Sequence, residues 1–91
     1  MLDNRKIEEL EELGAAFTSV EDAAVILQSD PVLLRNAIDD SNTPEHAAYH
    51  RGRLMSEFDT RKSIVQMAKA GSSPAQVLAL NLIRKLKMEY A

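Results

Sequence analysis

Apolar residues recur along the chain at steps of three and four rather than alternately, and that period belongs to helices. Leu2, Ile7, Leu10 and Leu13 form the first such stripe, with Glu8, Glu9, Glu11 and Glu12 between them. A helix is therefore expected from Asp3 or Asn4, either of which can cap the free amides, to Gly14, with its carboxylates on a solvated face. Thr18 and Ser19 are the next cap residues, ahead of Glu21 and Asp22, whose charges suit the positive end of a short helix over about Val20 to Gln28. Ser29-Asp30-Pro31 stops the chain and restarts it. Asp30 caps, Pro31 takes the first helical position, where a missing N–H costs nothing, and Val32 to Asp39 continue. Thr43 and Pro44 repeat the signal and open a long helix to Ala70, roughly 40 Å at 1.5 Å per residue, which Gly71 ends. Ser72 or Ser73 before Pro74 starts a last helix, Ala75 to Met88. Period-two runs of β-branched residues are missing, so the expected fold is all-α with about five helices.

The periodicity also suggests the packing. In the long helix Ala47, Leu54, Phe58, Val65 and Ala68 form one stripe, with Ile64 beside it. In the last helix Val77, Leu78, Leu82 and Leu86 form another, widened by Leu80 and Ile83. These two helices are expected to pair as an antiparallel hairpin over Gly71, following a helix-turn-helix-like unit. The chain reads as a single domain, 1–91, with the helix-turn-helix-like part over 1–42 and the hairpin over 43–91. A 40 Å helix overshoots three short partners, which leaves part of its stripe facing water in a monomer. Leu54, Phe58, Val65, Leu78 and Leu82 are thus the expected contact between copies in a homo-oligomer, with a kink near Gly52 as the competing solution.

Composition narrows the function classes. Ninety-one residues, 45% hydrophobic and 27% charged, suit one globular domain. Zero cysteines exclude disulfides and thiol catalysis and leave His, Asp and Glu as the strong metal ligands. No apolar run reaches the roughly 20 residues of a membrane span, and Met1-Leu2-Asp3-Asn4-Arg5-Lys6 has no signal-peptide core. An intracellular, cytoplasmic chain that meets no membrane is expected. His46 and His50 are four apart, a spacing for two imidazoles on one metal, yet no glutamate follows His46 and no third ligand is evident. An exposed pair without structural consequence is expected, and no metal. Nucleophile-elbow and phosphate-loop patterns are absent, so neither an enzyme nor a cofactor is expected.

The net charge of -3 conceals a split: residues 1–45 carry three basic and eleven acidic side chains, residues 46–91 eight basic and three acidic. Such a chain either attracts a polyanion with one half or stacks on copies of itself, acidic part against basic part. Ala24, Leu27, Asp30-Pro31, Leu33, Leu34 and Ile38 have the spacing of a helix-turn-helix, with Arg35, Asn36 and Asp39 facing outward. Arg reads guanine and Asn reads adenine by paired hydrogen bonds, so double-stranded DNA is a candidate partner. Against it, Gln28 stands where such turns often carry glycine, and the surrounding charge has the wrong sign for phosphate. Arg51 with Arg53, and Arg61 with Lys62, either bind phosphate or pair with Glu57, Asp59 or the acidic first helix of a neighbour. Arg84 and Lys85 complement the negative end of the last helix.

The segment Ala48-Tyr49-His50-Arg51-Gly52-Arg53, with Glu57, Arg61, Ser63-Ile64, Ala68 and Gly71-Ser72 before Ala75, resembles the helical part of phage proteins like the small terminase subunit. Phe17-Thr18-Ser19-Val20-Glu21-Asp22-Ala23-Ala24 through Ile38 is similar to their N-terminal helix-turn-helix, so the resemblance covers about residues 14–80 through short motifs. It implies a non-catalytic DNA-recognition and assembly subunit, often oligomeric, that marks viral or prophage DNA for a large packaging motor in a bacterial host cell. The alternative is a helical protein-interaction module or oligomeric adaptor that touches no DNA.

Overall fold

A computed structural model of the chain describes residues 2–90 and contains five α-helices, α1 (Asn4–Ala15), α2 (Val20–Ile26), α3 (Pro31–Asp39), α4 (Pro44–Lys69) and α5 (Ser73–Tyr90), with no strand among the described residues. The fold is all-α, as the periodicity requires. Each start follows from cap chemistry. Asp3 accepts from the Lys6 amide at 2.8 Å, Ser19 from Asp22 at 3.1 Å, Asp30 from Val32 and Leu33 at 2.9 and 3.0 Å, and Thr43 Oγ1 from His46 at 3.1 Å. Ser72 rather than Ser73 precedes α5, because Ser73 is already helical. Thr43 does more than cap: its hydroxyl lies 2.5 Å from the Ala37 carbonyl, which it satisfies at the end of α3.

Three helices close in one way. After α1 the Thr18 amide reaches back to the Leu13 carbonyl and Phe17 to Gly14; after α2 Ser29 reaches Ala24 and Gln28 reaches Val25; after α4 Ser72 reaches Met67 and Gly71 reaches Ala68. This paired closure needs a left-handed residue just past the helix, the position glycine usually fills. Here Gly71 fills it once, at φ 102°, while Phe17 and Gln28 adopt φ 58° and 54° with side chains attached. The second helix consequently ends at Ile26, short of the expected Gln28, since a left-handed residue cannot continue a right-handed helix.

The chain divides between Ser56 and Glu57, inside α4. In the first unit Leu10, Val20, Ala23, Ala24, Leu27, Leu34 and Ile38 form the core, with Leu2, Leu13 and Tyr49 packed against it. Full burial of leucine or isoleucine contributes roughly 1.5–3 kcal/mol each, so Leu10, Leu27, Leu34 and Ile38 are the main apolar stabilisers. The unit continues past residue 42 because the first turns of α4 are part of it. Gly14 does not stop α1, as the sequence suggested, but lies buried inside it. A methyl group on Gly14 would meet the Tyr49 carbonyl oxygen at 2.2 Å, and one on Gly52 would meet that of Glu11 at 2.0 Å. Two backbones cross here in contact. Around the crossing Tyr49 Oη donates to the Thr18 carbonyl and Ser56 Oγ to that of Ala15, both at 2.6 Å.

This crossing corrects the expected packing of α4. The side turned into the first unit carries Glu45, Ala48 and Gly52, whereas Ala47 and Leu54 of the expected stripe are exposed. Small residues win the position because larger ones would hold the helices apart. Glu45, only 3% exposed, accepts from the Leu2 amide at 3.3 Å. The second unit, from Glu57 onward, contains the end of α4 and all of α5. Its turn at Gly71 is held by Gln76 Nε2 donating to the Ala68 carbonyl at 3.2 Å, and Ala75 is its buried residue.

Two substitutions test these features by urea unfolding. Gly52→Ala should lose at least about 2 kcal/mol, because backbone atoms at 2.0 and 2.9 Å cannot yield as a side chain would. That loss should exceed the roughly 1 kcal/mol that alanine gains over glycine inside a helix; a stabilised variant would refute the close crossing. Gln28→Gly should instead gain about 0.5–1 kcal/mol by relieving the left-handed glutamine, and Gln28→Ala should not.

Candidate functional site

The helix-turn-helix candidate is built from α2, the turn at residues 27–30, and α3. Ala23, Ala24 and Leu27 turn inward from α2, Leu34 and Ile38 from α3. Leu33, expected to help hold α3, is exposed, because the helix buries the positions one and five residues further on. Val32, Arg35, Asn36 and Asp39 occupy the outward face. Arg35 is engaged: its Nη2 forms a hydrogen-bonded ion pair with Glu21 of α2, which holds the Glu21 carboxyl below the usual carboxylate range. The proposed guanine reader thus ties two helices together in the free chain.

The other basic candidates do not converge. Arg51 and Arg53 are two apart on a continuous helix and so point to roughly opposite sides. Arg51 Nε lies 3.2 Å from Glu11 Oε1 of α1, and Arg53 Nη2 lies 3.3 Å from His50 Nδ1. Arg61 stands 3.9 Å from Glu57, and Lys62 stands 3.4 Å from Asp59 with its ammonium 4.6 Å from the Phe58 ring centre. These pairings within one helix are the alternative that the spacing had offered beside phosphate. The first unit, through Ser56, holds five basic and eleven acidic side chains, so it is net negative around the whole helix-turn-helix.

The apolar candidates lie at the surface. Leu54, Phe58 and Val65 on α4 and Leu78 on α5 are exposed, and Leu82 is half-buried. On α5 the residues Ala75, Leu78, Ala79, Leu82, Ile83 and Leu86 fall at helical spacing on one side. Only Ala75, at the turn, is buried, and Leu78, Ile83 and Leu86 along the same face are exposed. Two further exposed valines, Val25 and Val32, flank the turn between α2 and α3. The sequence reading missed them because an isolated valine outside the buried stripe carries no periodic signal. It also missed the crossing. Ala48, Gly52 and Ser56, four apart, were its available sign, since a row of small residues on one helix face permits close backbone approach.

The histidines are structural, not the idle exposed pair expected. His46 Nδ1 lies 2.7 Å from the Ile38 carbonyl; a carbonyl can only accept, so this nitrogen carries a proton and ties the end of α3 to α4. His50 Nδ1 accepts from Arg53, which requires a neutral ring. The two ring centres are 4.5 Å apart, and Tyr49 meets His50 edge-on at 5.4 Å. Among the described residues no group of three or more His, Asp or Glu could hold a metal ion. Among the described residues no helix is long and apolar enough to cross a membrane. Comparison with protein-family models, curated proteins and solved structures returns no match.

The histidine cluster has a pH consequence. Burial, the neighbouring His46 and Arg53 push the His50 pKa below its ordinary 6.5, with Asp39 of α3 opposing them. The unfolded chain therefore binds a proton more readily than the folded one below that value, so stability contributed by neutral His50 falls as pH drops. Unfolding free energy should decline as pH falls below about 6.5, and His50→Gln should flatten that slope. An unchanged slope in the variant would assign the dependence elsewhere.

Proposed function

We propose that the chain is a non-catalytic helical assembly module that associates with copies of itself through the apolar faces of its second unit. The observation carrying this reading is the face of α5, where exposed Leu78, Ile83 and Leu86, with half-buried Leu82 among them, continue the line of buried Ala75. Leaving such a stripe in water forfeits the burial that stabilises amphipathic helices, and a second helical surface recovers it. Leu54, Phe58 and Val65 on α4 extend the apolar supply. The acidic first unit then acts as a scaffold, tied to α4 by the glycine crossing.

The geometry of α2, its tight turn and α3 favours a second reading, duplex DNA gripped through Arg35 and Asn36 as in the small terminase subunits that the sequence resembles. We place it second on charge. Phosphate would approach a net-negative unit, and Arg35 would first have to leave Glu21.

Sedimentation velocity across the micromolar range should reveal species heavier than the 10.1 kDa chain. Leu82→Asp should shift the distribution toward that mass. A single 10.1 kDa species at every concentration would overturn the assembly reading. Titrating the same samples with labelled duplex at low salt tests the second reading, whose binding should fall steeply as salt rises.

A further inference from the structure

Self-assembly through α5 requires a surface to receive it, and the first unit carries one of matching chemistry. Val25 and Val32 are 76% and 66% exposed. The Glu21–Arg35 pair ties α2 to α3. Val25 follows Glu21 by four residues and Val32 precedes Arg35 by three, so each valine shares its helix face with one partner of that pair, one turn nearer the loop. Ile26 and Leu33, also exposed, border them. The setting is acidic: residues 19–40 contain Glu21, Asp22, Asp30, Asp39 and Asp40 against Arg35 alone. As a whole α5 carries the opposite charge, with Arg84, Lys85 and Lys87 against Glu89 alone over Ser73–Tyr90.

We infer that α5 of one copy docks through Leu78, Ile83 and Leu86 on the Val25–Val32 surface of a second copy, a head-to-tail contact between basic and acidic units. Charge complementarity selects this occupant. Parallel pairing of α5 with another α5 would bring like charges together and antiparallel pairing would leave them unopposed, whereas the α2–α3 surface opposes them with carboxylates. A contact between two different surfaces repeats from copy to copy, so it closes into a ring or extends as a chain. The inference rests on the assembly reading above and adds the identity of the receiving surface.

Complementation distinguishes the two. Val25→Glu spoils the receiving surface and keeps α5; Leu86→Glu spoils α5 and keeps the receiving surface. Both positions are exposed, 76% and 56%, so each variant should retain the helical circular dichroism of the unmodified chain. Each alone should self-associate at least about tenfold more weakly, because a carboxylate enters the apolar contact. An equimolar mixture should recover a two-chain species and stop there, since one intact α5 and one intact receiving surface make a single contact. Val25→Glu assembling like the unmodified chain would overturn the head-to-tail contact and leave assembly through α5 standing. A mixture that stays monomeric would also overturn it. An unmodified chain that is monomeric at every concentration would remove the assembly reading and this inference together.

Discussion

Gly14 and Gly52 let α1 and α4 touch backbone to backbone, and the organisation of the first unit depends on that contact. With any side chain at either position, carbonyl oxygens of the opposite helix would lie at 2.2 Å or less. Because the helices meet so closely, short side chains can reach across: Tyr49 to Thr18, Ser56 to Ala15, and the exposed pair Arg51 to Glu11. The first two satisfy carbonyls at and after the end of α1, groups that a helix terminus otherwise leaves to water. A third tie, His46 to Ile38, does the same for α3. The first turns of α4 are thereby a wall of the unit, and the compact part of the chain runs on to Ser56.

Closing the helices carries its own cost. Phe17 and Gln28 occupy left-handed positions that glycine holds more easily, and the chain keeps them because the paired closing hydrogen bonds redirect it into α2 and α3. The turn that Gln28 shapes is flanked by exposed Val25 and Val32. The missing turn glycine, which counted against a helix-turn-helix in the sequence, does not prevent a tight turn between α2 and α3.

The two units differ in how they meet solvent. The first buries its apolar stripe and surrounds it with carboxylates; the second exposes most of the large apolar residues of α5 beside lysines and arginine. A sequence-reading of charge alone could not choose between a polyanion and another copy of the chain. The pairing of Arg35 with Glu21 and of Arg51 with Glu11 shifts the balance, because these cations already have anionic neighbours. Such exposed pairs are individually weak, yet both lie within a net-negative unit where added phosphate would be repelled.

Helix starts were legible from sequence because a cap is local: Asp3, Ser19, Asp30 and Thr43 each need only an amide two or three residues away. The buried faces of α1, α2 and most of α3 were legible for a similar reason, since large apolar residues at helical spacing have few other uses. The face of α4 was not. Periodicity weighted Leu54, Phe58 and Val65, whereas the first unit took Ala48 and Gly52, whose value lies in what they lack. Likewise the tie from His46 to Ile38, the pairing of Arg51 with Glu11 and that of Arg35 with Glu21 depend on residues of another helix. Sequence determined where helices begin and which charges each half carries, through interactions within one turn. The tertiary structure decided which faces meet and which remain open, because that depends on how closely two backbones approach.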